Sequence, residues 1–68
     1  MSKRLTYREM VAPIVNATPK SIIEICKKLG IRHGDGRAAV ADVVFEMVEN
    51  GQAARQWDED GLPLYTRI

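Results

Sequence analysis

The feature that most constrains this chain is a glycine stop between two amphipathic helical patterns. The stretch "SIIEICKKLGI" opens with Ser21 and Glu24 at capping-box spacing and then carries apolar residues at helical intervals. Gly30 can take the left-handed backbone that closes a helix, after which Ile31 folds back onto the last turn. The pattern predicts a helix over residues 22–29 that stops abruptly and is followed by a turn.

A second helical pattern follows this turn. Its apolar residues recur at three- and four-residue steps and are Val40, Val43, Val44, Met47 and Val48. They predict a helix over residues 37–50, ended by Asn50 and Gly51. We expect Asp35 to be its N-cap, because a short acceptor side chain satisfies the free N–H groups of the first turn.

An earlier helix should begin at Thr6, which stands at capping-box spacing from Glu9. Its predicted apolar stripe consists of Tyr7, Met10, Val11, Ile14 and Val15. Pro13 lies within this pattern, and a proline removes a backbone hydrogen bond and clashes with the preceding turn. The helix should therefore kink or end early.

The end of the chain has the pattern of a β-hairpin. Residues 52–57 and 62–68 are short extended runs joined by Asp-Glu-Asp-Gly, whose Asp-Gly pair favours a hairpin turn. Pro63 cannot donate to a strand ladder, so its strand must be an edge or must begin there. An isolated hairpin is marginally stable, so some of its side chains should dock on the helices. Those expected to do so are Trp57, Leu64, Tyr65 and Ile68.

Length, apolar runs and cysteine content exclude several classes of protein. The 68 residues suffice for one domain, which we expect to span residues 1–68. The apolar runs fall far short of the roughly 18 residues that indicate a membrane-spanning helix, so no membrane function is expected. Cys26 has no second cysteine to pair with, and with His33 it cannot complete a four-ligand zinc site. A reducing, cytoplasmic location follows, with Cys26 as a core residue.

Catalytic signatures are missing from the sequence. No nucleophile, base and orienting acid occur together, and no phosphate-binding glycine motif follows a predicted strand. We therefore expect a protein that is not an enzyme and that needs no cofactor.

The predicted order of three helices and a hairpin resembles a winged helix-turn-helix domain. The resemblance rests on "SIIEICKKLGI", "VADVVFEMVENGQAARQ" and "LPLYTRI", and it extends over nearly the whole chain. In size the chain is similar to small stand-alone winged-helix regulators of bacteria, plasmids and phages. The resemblance implies a mainly α fold with three helices and a two-stranded wing, and a regulator of transcription that binds duplex DNA.

One departure from the family pattern affects the third helix. The interval from Ile31 to Val40 is about one helical turn longer than in that family. Either the turn is enlarged or the third helix starts early.

The resemblance also implies where DNA would bind. Residues 22–29 become the supporting helix, residues 37–50 the recognition helix, whose N-terminal part enters the major groove, and residues 52–68 the wing. The candidate DNA contacts are Lys20, Lys27, Lys28, Arg32, His33, Arg37, Ala38, Ala41, Arg55 and Arg67. Arg55 and Arg67 either face each other across the hairpin or reach along a DNA backbone.

Charge is distributed unevenly along the chain. Up to Gly34, seven Lys and Arg against two Glu give +5, and beyond it three Arg against seven carboxylates give −4. Two interpretations follow. In the first, the cations gather at the groove-facing end and the protein binds duplex DNA weakly, with a second copy or a helper protein. In the second, the acidic third helix and wing bind the basic first half of a neighbouring chain or another protein, and the fold is an interaction module that does not bind DNA.

Overall fold

The computed structural model describes residues 5–68. Its elements are α1 (Tyr7–Val11), α2 (Ile22–Leu29), α3 (Gly34–Glu49), β1 (Ala53–Trp57) and β2 (Pro63–Arg67). The fold is mainly helical with a two-stranded antiparallel hairpin. This is the layout of a winged helix-turn-helix, and the predicted fold class is confirmed.

The first two helices begin where their capping boxes predict. Thr6 and Glu9 satisfy each other's backbone N–H groups at the start of α1, and Ser21 and Glu24 do so at the start of α2. α1 ends at Val11, ahead of Pro13, which confirms the early end. The predicted bounds of α2 are confirmed.

Gly30 closes α2 in the left-handed conformation, with φ 72°. Its N–H donates to the carbonyl of Lys27, and the N–H of Ile31 donates to the carbonyl of Cys26 at 2.9 Å. These two bonds form a Schellman motif, which satisfies the last carbonyls of the helix and turns the chain sharply.

α3 starts three residues earlier than predicted, at Gly34 instead of Arg37, and ends at Glu49, one residue earlier than predicted. The predicted N-cap, Asp35, is wrong. The cap is His33, whose imidazole Nδ1 accepts a hydrogen bond from the backbone N–H of Gly36 at 3.0 Å. The early start accounts for the additional turn between Ile31 and Val40.

The hairpin pairs Ala53 with Arg67 at its base and Trp57 with Pro63 at its turn end. Pro63 is the first residue of β2, as expected for a residue without an N–H. Just beyond the strands, Asp58 donates its backbone N–H to the carbonyl of Leu62. The observed strands are shorter than the predicted runs by a residue at one or both ends.

β2 lies between β1 and the segment that precedes α2. Tyr65 exchanges two backbone hydrogen bonds with Lys20, at 2.8 and 3.1 Å, and the N–H of Arg67 donates to the carbonyl of Asn16. These bonds attach the hairpin to the helical part of the fold.

The core lies between the three helices and the base of the hairpin. Its buried members are Val11, Val15, Ile25, Cys26, Val40, Val44, Met47, Ala53 and Tyr65. The predicted core position of Cys26 is confirmed. Tyr65 docks as predicted and Leu64 is half-buried. The predicted docking of Trp57 and Ile68 is wrong, since these side chains are 64% and 76% exposed. Trp57 lies at the turn end of the hairpin, beyond the core, and Ile68 follows the last paired residue.

Candidate nucleic-acid interface

One arginine, Arg37, lies on α3, and a second, Arg55, is placed next to α3 by the hairpin. Arg37, Ala41 and Phe45 follow one another at four-residue spacing and so form one stripe along the helix. The guanidinium carbon of Arg55 lies 5.4 Å from the ring centroid of Phe45 and 5.5 Å from that of Tyr65. The hairpin therefore places Arg55 beside this stripe. We call Arg37, Ala41, Phe45 and Arg55 the arginine stripe.

The carboxylates of α3 lie on another side of the helix. Asp35, Asp42, Glu46 and Glu49 recur at seven-, four- and three-residue steps and form a carboxylate stripe. At about 100° per residue, the centres of the two stripes are roughly 110° apart around the helix axis. Glu46 forms an ion pair with Arg8 of α1, which shows that its stripe borders α1. Arg37, the one cation within α3, is thus separated from the carboxylates of the helix.

The turn before α3 adds exposed polar side chains next to the arginine stripe. Arg32 and His33 are both exposed, and Arg37 is exposed within the first turns of α3. Ala38 is exposed between the two stripes and Ala41 is half-buried. Sequence reasoning named these five residues, and the structure places them in the turn before α3 and along the N-terminal half of α3.

Gly36 fixes the conformation of this turn. A Cβ at Gly36 would lie 2.6 Å from Cγ2 of Ile31 and 2.7 Å from Cε1 of His33. The absence of a side chain lets the imidazole of His33 pack against the helix backbone and reach the Gly36 N–H. The helix start and the side chains on it are therefore held by local packing.

The two lysines at the end of α2 diverge. Lys27 and Lys28 are both exposed, and neighbouring residues on a helix point about 100° apart. Lys28 lines a shallow groove with Ile14 and Thr18, on the side of the α1–α2 connection. The groove places Lys28 next to that connection, and Lys27 is exposed in the last turn of α2.

Lys20 is not an exposed cation. It is 7% exposed, and its Nζ donates to Oδ1 of Asn16 at 2.6 Å and to the carbonyl of Thr18 at 3.2 Å. Its backbone forms the bridge to Tyr65. The burial removes Lys20 from the candidate interface and gives it a structural role.

Arg67 ties β2 to the end of α1. Its Nε donates to the carbonyl of Val15 at 3.2 Å, and its Nη2 donates to the carbonyl of Ala12. In the ladder Arg67 pairs with Ala53, whereas Arg55 pairs with Tyr65. The two arginines therefore do not face each other directly, and the guanidinium of Arg67 is occupied by backbone carbonyls.

The acidic turn of the hairpin is organised by Asp58. Its carboxylate accepts hydrogen bonds from the backbone N–H groups of Asp60 and Leu62, at 2.9 and 2.8 Å. Glu59 and Asp60 are exposed. Asp58 therefore shapes the turn, while its two acidic neighbours place negative charge at the hairpin end.

Sequence reasoning missed Phe45 as a member of the site. Its four-residue spacing from Ala41 was visible in the sequence. The contact between Phe45 and Arg55 was not visible in the sequence, because spacing within a helix does not show which side of the helix the hairpin covers.

None of the helices formed by residues 5–68 has the length and apolar character needed to cross a membrane. Within the same residues, no group of three or more His, Cys, Asp and Glu side chains is arranged to hold a metal ion. No protein-family model, curated protein or solved structure matches the chain.

Proposed function

We propose that this protein binds duplex DNA and regulates transcription by occupying its site. The N-terminal end of α3 enters the major groove, and Arg55 contacts the DNA from the hairpin. The observation that carries the proposal is the separation of the two stripes on α3. Arg37 and Arg55 flank one side of the helix, and the carboxylates that would repel phosphate lie on another side, where Glu46 is paired with Arg8.

The spacing of the arginines suits a DNA groove. Arg37 and Phe45, which holds Arg55, are eight residues apart on α3. Eight residues of helix span about 12 Å. The major groove of B-DNA is about 12 Å wide, so flexible side chains anchored this far apart along α3 can reach phosphates on both sides of it.

The number of available cations predicts weak binding by one copy. Among residues 5–68, the turn and the arginine stripe supply Arg32, Arg37 and Arg55, the exposed Lys27 and Lys28 lie on α2 outside that stripe, and Lys20 and Arg67 are engaged within the fold. Three phosphate contacts give a slope of about −2.7 for the logarithm of affinity against the logarithm of salt concentration. Useful affinity therefore requires a second copy or a helper protein. A cytoplasmic location and a role without catalysis belong to the same proposal.

A salt titration with a matched pair of variants tests the proposal. Binding to a short labelled duplex is followed by fluorescence anisotropy between about 50 and 200 mM salt. Arg37→Gln and Arg8→Gln remove the same charge from opposite sides of α3. We expect the first to weaken binding and to reduce the slope by about one, and the second to leave the slope unchanged. Equal effects of the two variants would contradict the proposed docking side.

The second candidate is a protein-interaction module that does not bind DNA. It is favoured by the carboxylate stripe together with Glu59 and Asp60 at the hairpin end, which offer a negative surface to a basic protein. The same titration separates the candidates, because an interaction module gives no anisotropy change with duplex DNA at any salt concentration.

A further inference from the structure

One edge of the hairpin carries backbone groups that point away from its partner strand. Gln52 accepts from the N–H of Ile68, and Asp58 donates to the carbonyl of Leu62. Paired residues of an antiparallel ladder alternate between exchanging hydrogen bonds and not exchanging them. The even-numbered residues of β1 therefore bond to β2. The N–H and C=O groups of Ala53, Arg55 and Trp57 point outward.

The opposite edge of the sheet is already occupied. Tyr65 and Arg67 point their backbone groups away from β1, and these groups bond to Lys20 and Asn16. Among residues 5–68, no element pairs with the outer edge of β1. Ala53 is 2% exposed, whereas Arg55 and Trp57 are exposed. The accessible part of the edge is therefore the backbone of these two residues.

We propose that β1 pairs with β1 of a second copy of this chain, antiparallel and about a two-fold axis. An exposed strand edge is a template for pairing with another chain. The proposal concerns self-association and does not depend on DNA binding. It also accounts for Trp57, whose side chain is left 64% exposed by the single chain.

The outward residues leave few registers for this pairing. Outward groups must meet outward groups, so the two-fold axis passes through a residue of β1, and axes at Ala53 and Ala54 are excluded because they require the buried Ala53. An axis at Arg55 sets like charges directly opposite each other, which is destabilising, and requires the buried Ala53. An axis at Trp57 pairs Arg55 with Glu59, which lies in the turn outside β1.

The register centred on Gln56 satisfies every requirement. It places Arg55 of each copy opposite Trp57 of the other, so that the four outward N–H and C=O groups of each copy are paired. Side chains directly opposite each other lie on the same face of the sheet. The Trp57 ring of each copy then lies beside Arg55 of the other, on the face where that guanidinium already packs on Phe45 and Tyr65, and adds a third aromatic ring around it. The residues whose backbones pair across the axis, Arg55 to Trp57, include no carboxylate. This self-complementarity favours a second copy over an unrelated extended segment.

Cysteine cross-linking tests the register directly. The two copies of Gln56 form a pair without ladder hydrogen bonds, with Cα atoms about 4.5 Å apart. That distance is within the range for a disulfide, about 4.4 to 6.8 Å. We expect Gln56→Cys to form a covalent dimer on mild oxidation. The control Ala54→Cys lies on the same strand and the same face but is opposite Asp58, and should form none. The unmodified chain measures any background from the buried Cys26.

Sedimentation velocity of the unmodified chain and of Trp57 variants tests the edge itself. Trp57→Pro removes one outward N–H and no bond to β2, and proline is tolerated on such an edge. We expect the unmodified chain to associate with rising concentration, and Trp57→Pro to weaken that association by about tenfold or more. Trp57→Ala keeps the N–H and should weaken it less. Circular dichroism shows that each variant is folded. A chain that stays monomeric, or equal cross-linking of Gln56→Cys and Ala54→Cys, would overturn the proposal.

Discussion

The guanidinium group of Arg55 packs against the ring of Phe45, with 5.4 Å between the guanidinium carbon and the ring centroid. Tyr65 supports the pair, because its ring centroid is 6.3 Å from that of Phe45. The contact joins the first strand of the hairpin to the middle of α3. It sets where the arginine lies relative to the helix, although Phe45 itself is 41% exposed.

A double-mutant cycle measures this contact. Phe45→Leu removes the aromatic face, Arg55→Met removes the charge, and each keeps an apolar side chain of similar reach. We expect a coupling of about 0.5 to 1 kcal/mol in the free energy of unfolding from urea denaturation, as for an exposed cation–π pair. Strictly additive single-variant effects would show that the packing does not stabilise the fold.

The His33 cap predicts a specific loss of stability. His33→Ala removes the acceptor for the Gly36 N–H, and loss of an N-cap costs about 0.5 to 2 kcal/mol. Asn is a better N-cap than His, so the unfolding free energy of His33→Asn should equal or exceed that of the unmodified chain. Thermal and urea unfolding give the values, with Arg32→Ala as the control at the neighbouring exposed position. If His33→Ala and Arg32→Ala are equally stable, the imidazole does not act as a cap.

The glycines at the start of α3 should respond oppositely to alanine. At Gly34 nothing lies within 4 Å of an added Cβ, so Gly34→Ala should stabilise the fold by up to about 1 kcal/mol through helix propensity. At Gly36 the added atom would lie 2.6 Å from Ile31, so Gly36→Ala should destabilise it despite the same gain in propensity. Urea denaturation of the two variants measures the contrast. Stabilisation by both would mean that the turn relaxes without cost.

The parts of the fold that follow from local rules were predictable from the sequence. The bounds of α2 and both capping boxes depend on residues three or four positions apart, and the structure has them as predicted. The start of α3 could not be predicted from the sequence, because Gly34 and Gly36 are poor helix formers and the cap is an imidazole packed on Gly36. The burial of Lys20 depends on a bridge to Tyr65, distant in sequence, which no local pattern reveals.

The candidate interface divides in the same way. Arg37 and its neighbours could be named from helical spacing and the position of the turn. The loss of Lys20 and Arg67 from the interface could not be predicted from the sequence. Each side chain donates to carbonyl or amide oxygens that the tertiary fold brings near. The side of α3 that carries Arg55 likewise depends on how the hairpin docks.

Substitutions of Lys20 and Arg37 should have opposite effects, the first on the stability of the fold and the second on its affinity for DNA. Lys20→Met keeps the aliphatic chain but loses the hydrogen bonds to Asn16 and Thr18, and we expect a loss of about 0.5 to 1.5 kcal/mol in unfolding free energy. Its affinity for duplex DNA should not change, because the Nζ is engaged within the fold. Arg37→Met removes an exposed charge, so its stability should change by less than about 0.5 kcal/mol while its DNA affinity falls. Urea denaturation and anisotropy titrations on the same samples measure both quantities. An equal loss of DNA affinity in the two variants would mean that Lys20 leaves its buried position to reach phosphate.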